Sequence, residues 1–306
     1  MKKLSFLFVI YDNGSPISYF PLGAAYIASA IRDAGHNVEI YNQDIYHYSE
    51  EQLTAYLREH CYDIVGLSVC GGAYQHDKVK KIYDAISYSG VRELPQIWMG
   101  GHLAAPEPEY FLKYMNADLI FIGEGEITVK NALTELAETG KVEKTAGIAF
   151  LNEDGKCIIN QPQPLIENID EITFPAYDLF PMEHYVLRPG NGCASTARTA
   201  YMLSGRGCIF KCNFCYRMDK GFRARSAESI LSEIRLLQER YKITHVNFQD
   251  ELLMSSKDRT IALCKAFKES ELQFTWECNG RLNFADNEIL SQMREAGCVF
   301  INYGVE

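Results

Sequence analysis

Short apolar runs alternate with amphipathic stretches through residues 1–140, and this rhythm constrains the fold more than any other feature. Leu4–Tyr11, Val38–Tyr41, Ile64–Val69, Gln96–Met99 and Leu119–Ile122 read as buried strands. Continuous apolar runs of that length, bounded by turn residues, suit strands covered on both faces. Between them lie helical patterns. Leu22–Ala34 stops at Gly35, and Ser49-Glu-Glu-Gln52 forms a capping box ahead of Leu53 and Leu57. Asp77–Tyr88, Glu107–Met115 and Thr128–Thr139 complete the set. Such alternation predicts an α/β fold whose N-terminal domain is a doubly wound parallel sheet, with ligands at the carboxyl ends of its strands.

The pattern changes over 141–197. Gly147–Asn160 reads as a hairpin turning at Asp154-Gly155. A stretch punctuated by Pro162, Pro164, Pro175, Pro181 and Pro189 follows, read as an inter-domain connector rather than a core element. From 198 to 306 the alternation resumes. Ala200–Ser204, His245–Gln249, Phe274–Glu277 and Val299–Tyr303 are the expected strands. Helices are expected from Ser226 to Arg240 and over Asn287–Ala296, the latter stopped by Gly297.

Composition narrows the function. A net charge of −10 leaves no basic excess for neutralising phosphates, which argues against a nucleic-acid partner. Phe222-Arg-Ala-Arg-Ser226 is one local basic candidate, read as a solvated or substrate-facing turn. Ten cysteines without regular pairing fit a reducing, cytoplasmic setting better than a disulfide framework. The apolar start, Leu4–Tyr11, is too short for a membrane span and lacks a cleavage signal, so a buried first strand explains it better.

Three of those cysteines stand apart. Cys208, Cys212 and Cys215 are spaced C-x3-C-x2-C, with Phe214 just before the last. Three thiolates this close can hold three corners of a cubane iron–sulfur cluster, leaving the fourth iron open to a small molecule. The same thiols are also compatible with a structural zinc ion or with remaining free. Zinc sites usually add a second close pair, whereas Cys264, Cys278 and Cys298 are isolated and read as core or strand residues.

The triplet resembles the signature of the radical S-adenosylmethionine (SAM) superfamily. That resemblance implies a partial (β/α) barrel, a [4Fe–4S] cluster on Cys208, Cys212 and Cys215, and SAM chelated by the open iron and cleaved to a 5′-deoxyadenosyl radical. It places SAM contacts at Phe214, Asp250, Glu251, Arg281 and Glu306. Asp250-Glu251 would face the amino group, although an acidic pair before a helix is also favoured by the macrodipole alone. Arg281 and Glu306 would lie near the carboxylate and ribose. The readable strands end at the fourth, so the chain is expected to be truncated within the barrel.

Gly-bearing turns after the first domain's strands are a weak signal alone, but their order resembles the cobalamin-binding, Rossmann-like domain preceding one branch of that superfamily. The resemblance implies that Ser68, Gly100 and Gly101 line the channel for the cobalamin nucleotide tail. Gly123, Glu124, Gly125 and Glu126 form the family's Gly-Glu-Gly-Glu turn. The Asp-x-His-x-x-Gly loop that supplies a cobalt ligand in mutases is missing after the first strand, so binding would be base-off and His-off. The alternative is a domain without cobalamin that shapes the substrate pocket. His102 reads equally as a ligand contact or as a locally bonded turn residue.

The implied activity is radical methyl transfer to an unactivated carbon of a small molecule, with flavodoxin or ferredoxin as reductant. Oxidative cyclisation or rearrangement, as in anaerobic magnesium-protoporphyrin monomethyl ester cyclase, is the alternative enzyme reading. A metal or corrinoid binding module is the non-enzymatic one.

Overall fold

The computed structural model describes residues 2–14, 18–71, 73–91, 93–215 and 221–305. The chain divides into two compact units, Met1–Ile166 with Thr173–Phe180, and Glu167–Ile172 with Pro181–Glu306.

In the first unit the strands are β1 (Ser5–Ile10), β2 (Asn37–Asn42), β3 (Ile64–Ser68), β4 (Gln96–Gly100), β5 (Leu119–Phe121), β6 (Ile148–Leu151) and β7 (Cys157–Ile159). They form one sheet in the order β2-β1-β3-β4-β5-β6-β7. The first five pair in parallel, and β6 and β7 add antiparallel. Helices Leu22–Asp33, Glu50–Glu59, Ala73–Ser87 and Gly125–Thr139 intervene as the periodicity predicts. The capping box at Ser49 and Gln52 is formed. Leu7, Leu53, Val65, Val79 and Met99 are fully buried in the core on one side of the sheet. Chain order reverses across β1, which leaves a crevice at the carboxyl ends of β1 and β3, where sheets of this kind take ligands.

The connector departs from expectation. Its hairpin is β6–β7, and β6 pairs with β5, so it covers a sheet edge that would otherwise expose unpaired backbone. The proline stretch is where the chain passes between the units, and one part of it, Thr173–Phe180, packs into the first. Ala176 donates to the Ala25 carbonyl at 3.0 Å, Tyr177 stacks on Phe20 at 5.2 Å, and Ala176 and Tyr177 are buried. Apolar residues set between prolines (Phe174, Tyr177, Phe180) were the signal for this packing.

In the second unit the strands are β8 (Thr199–Met202), β9 (Gly205–Cys208), β10 (Gly221–Ala224), β11 (His245–Phe248), β12 (Thr275–Arg281) and β13 (Cys298–Gly304). A parallel sheet runs β13-β12-β11-β8, and β9 and β10 form a separate antiparallel ribbon. Helices Ala227–Tyr241, Lys257–Glu269 and Asn287–Glu295 are N-capped by Ser226, Ser256 and Asp286. The sequence carries no sign of the ribbon, because Gly-Arg-Gly and Gly-Phe-Arg do not alternate apolar with polar. No helix among the described residues is long and apolar enough to cross a membrane.

Candidate functional site

The cysteine loop of the second unit grows out of the ribbon. Gly205 lies opposite Ala224, and Cys208 opposite Gly221. Gly207 has φ +81°, and a Cβ there would run into the Gly221 carbonyl oxygen, so the two strands close up only around glycine. Cys208, Cys212 and Cys215 stand outside any disulfide, the first two half-buried and the last exposed. The Cys215 N–H donates to the Cys212 carbonyl at 3.3 Å, folding the loop back on itself. Phe214 is 66% exposed. Among the described residues no three thiols, imidazoles or carboxylates converge closely enough to hold a single metal ion. The donor set, three cysteines on one short loop, is of the kind that holds an iron–sulfur cluster.

Side chains strap the base of this arc. Asp250, at the carboxyl end of β11, accepts from the Ser204 N–H at 2.6 Å and the Gly205 N–H at 3.2 Å. The Ser204 hydroxyl donates to its other oxygen. Arg259 donates to the Ser204 carbonyl at 2.7 Å and lies 5.0 Å from the Phe222 ring centroid. Burial pushes the Asp250 carboxyl up to about 6, against the pull of Ser204 and Arg259. Asp250 is therefore turned inward as a strap, at the strand end where a contact to the SAM amino group was expected. Exposed Glu251 remains beside it.

Two further expectations change. Arg225 is buried rather than part of a basic surface, pairing with Glu233 at 2.5 Å and donating to the Leu203 carbonyl at 2.8 Å. Arg281, the last residue of β12, donates to Cys212 Sγ at 3.2 Å and lies 4.0 Å from the Phe210 ring centroid. Glu306 lies outside the described residues.

Sequence reasoning missed a polar face across the parallel strands. Glu277, 3% exposed, accepts from Asn191 Nδ2 at 2.8 Å and from Asn247 Nδ2 at 2.5 Å. Asn279 accepts from Asn302 Nδ2 at 3.2 Å. Burial pushes the Glu277 carboxyl up, but the His245 imidazole 3.6 Å away and hydrogen bonds from Asn191 hold it below the ordinary range. The signal was present as period-two polarity: Thr275, Glu277, Asn279 and Arg281 alternate along β12 with Trp276 and Cys278, which are buried.

In the first unit, the carboxyl ends of β3 and β4 meet through their turns. Val69 donates to the Gly100 carbonyl at 2.8 Å. Gly101 has φ +101°, and a Cβ there would stand 2.7 Å from the Val69 carbonyl oxygen and 2.8 Å from Cys70 Sγ. Ser68 Oγ lies 3.4 Å from Cys70 Sγ. Burial pushes the Cys70 thiol up, but hydrogen bonds from His102 and Ser68 outweigh it and leave the thiol more acidic than usual. His102 is thus a bonded turn residue. Asp12, just past β1, pairs with His47 Nδ1 at 2.8 Å. Gly123 is open, since a Cβ placed there would meet no atom within 4 Å. Glu124 accepts the Ile166 N–H at 3.0 Å, and Gly125 and buried Glu126 start the Gly125–Thr139 helix. A Cβ on Gly125 would stand 2.6 Å from Ile27 Cδ1, so this turn is also a packing contact. Gly100 and Gly101 are thus needed for the close packing of the β3 and β4 turns, at the strand ends where the nucleotide tail was expected.

These features define an α/β protein with close-packed glycine turns at the carboxyl ends of its first parallel sheet and a strapped three-cysteine loop in its second unit. Comparison with known proteins sharpens the class. The B12 binding domain family matches residues 16–133 and the radical SAM superfamily matches residues 202–306. An uncharacterized methyltransferase of Pyrococcus horikoshii is 28% identical, covering 100% of this chain and 66% of its own length. Cytidylyl-2-hydroxyethylphosphonate methyltransferase of Streptomyces wedmorensis is 26% identical over 97% of this chain and 63% of its own. Anaerobic magnesium-protoporphyrin IX monomethyl ester cyclase of Rubrivivax gelatinosus is 25% identical over 94% and 51%. The chain thus spans roughly half to two thirds of these relatives. The cobalamin-dependent SAM radical enzyme OxsB shares the fold with a TM-score of 0.80 at 21% identity, covering 100% of this chain and 44% of that one. The chain thus carries a B12 binding domain over residues 16–133 and a radical SAM domain over residues 202–306. A radical SAM domain implies a [4Fe–4S] cluster and SAM, and a B12 binding domain implies cobalamin.

Proposed function

We propose that this chain is the cofactor-bearing part of a cobalamin-dependent radical SAM methyltransferase acting on an unactivated carbon of a small molecule. The observation that carries the reading is the strapped loop that bears Cys208, Cys212 and Cys215, none of them in a disulfide. When bound, the cluster supplies the electron that cleaves SAM, and cobalamin supplies the methyl group. The protein's share is positioning. Asp250 and Arg259 hold the base of the cysteine loop, Glu251 stands where a SAM ammonium can be met, and the polar face of β12 offers hydrogen bonds to bound SAM or substrate. In the first unit, Ser68, Gly100 and Gly101 line the groove for the cobalamin tail, and Gly123 keeps its mouth open. Ten free cysteines suit the reducing cytoplasm that such a cluster requires, with flavodoxin or ferredoxin as electron donor.

The full-length protein, reconstituted anaerobically with iron, sulfide, cobalamin and methyl-deuterated SAM, tests this. Formation of 5′-deoxyadenosine, abolished by Cys212→Ala, together with deuterated methyl in a product, supports methyl transfer. Oxidised product without SAM-derived methyl favours the second reading, cyclisation, for which the cyclase relative speaks. No SAM cleavage with four irons bound leaves a binding module.

A further inference from the structure

Arg281 ends β12 beside the cysteine loop, where the family resemblance expects a contact to SAM. Its geometry is different. One guanidinium nitrogen donates to Cys212 Sγ at 3.2 Å, while the guanidinium carbon lies 4.0 Å from the Phe210 ring centroid. Phe210 is two residues before Cys212 and its ring stands 6.1 Å from Phe284, in the short turn Leu282–Phe284 that follows Arg281. The cation is thus fixed by an aromatic face on one side and a sulfur on the other, both within the cysteine loop. A guanidinium is permanently charged and only donates, so the Cys212 sulfur is the acceptor here.

We infer that Arg281 is a positioning residue for the cluster: it donates to the Cys212 thiolate and raises the reduction potential of the metal centre bound there. The inference rests on the cluster reading above. Its physical basis is charge. Reduction adds one electron, supplied by the protein's reductant, to a centre already carrying thiolate charge, and a fixed cation in a hydrogen bond to one of its sulfurs favours the more negative state. A hydrogen bond to a charged group is commonly worth about a factor of ten in an equilibrium. Stacking on Phe210 supplies the rigidity that a freely rotating surface arginine lacks.

The test is a potentiometric titration, followed by electron paramagnetic resonance without SAM, on the reconstituted full-length protein and its Arg281→Gln variant. At a fixed poise the ratio of reduced to oxidised cluster should fall about tenfold in the variant, which is 59 mV for a one-electron couple. Iron content should stay at that of the unaltered protein, and Phe210→Leu should give a smaller shift in the same direction. An unshifted potential with full iron content overturns the inference. So does a variant that only weakens SAM affinity, since that would return Arg281 to a SAM contact. If Arg281→Gln holds no iron, the unaltered protein decides. With 15N-labelled arginine, electron–nuclear double resonance of the reduced cluster should resolve one coupled nitrogen, and its absence overturns the inference. An unaltered protein without a four-iron cluster would instead sink the cluster reading itself.

Discussion

The two ligand-bearing ends of this chain are built by opposite means. In the first unit the crevice is made of main chain: Gly100 and Gly101 end a regular strand, and the Val69 N–H bonds across to Gly100. In the second, the cysteine arc is irregular and depends on side chains from distant positions, with Asp250 on Ser204 and Gly205, Arg259 on Ser204, and Arg225 on Glu233. A strand end is positioned by its sheet and tolerates side-chain changes around it. A strapped loop is only as stable as its straps. Substitutions in the second unit should therefore act at a distance, and those in the first only where a methyl group meets backbone.

The largest expected effect is Cys212→Ala, which should reduce iron from about four per chain to near zero after anaerobic reconstitution while leaving cobalamin uptake unchanged, as read by elemental analysis. Loss of both metals together would mean that the two ends are not independent. Next is Glu233→Ala. It leaves the Arg225 charge buried without its partner and should cost the second unit about 3–5 kcal/mol in denaturant unfolding. A cost near zero would mean that the ribbon is held without this pair. Gly101→Val comes third. Its backbone sits at φ +101°, and the added Cβ meets the Val69 carbonyl oxygen. A strain of about 1–3 kcal/mol and weaker cobalamin binding in a spectroscopic titration should follow, with iron content untouched.

The smallest effect concerns Asp250. Its folded carboxyl is pushed up to about 6 from an ordinary 3.8. Between those values the unfolded chain has released this proton and the folded chain keeps it. The Asp250 contribution to stability therefore falls as pH rises through the window, by at most about 1.4 kcal/mol per unit. Asp250→Asn should remove that slope from the pH dependence of unfolding. An unchanged slope would mean that the strap stays ionised throughout.

What the sequence revealed follows the same division. The first unit was legible because strand and helix periodicities are local, and each glycine turn stands directly after its strand. The Cys208–Cys215 spacing was legible because cluster ligands must lie close in the chain. The straps were not, since Asp250 lies 46 residues from Ser204 and reads locally as an acidic pair before a helix. Arg225 looked like surface charge for a similar reason: its partner Glu233 sits on the buried side of the next helix, where sequence pattern expects only apolar residues. The proline stretch misled because prolines exclude regular elements without excluding burial, and Tyr177 packs tightly between two of them. The polar face of β12 was overlooked because Trp276 and Cys278 dominate its apolar pattern.

The antiparallel ribbon that bears the cysteine arc has one more consequence. None of the straps at its base, Asp250 to Ser204, Arg259 to Ser204 or Arg225 to Glu233, passes through a thiol. A zinc finger takes its folding energy from the ion and collapses when a chelator removes it. Here the frame is held without the thiols, so on the proposed reading the loop is a receptacle whose shape does not depend on its contents, and stripping a cluster should leave the fold in place to be loaded again.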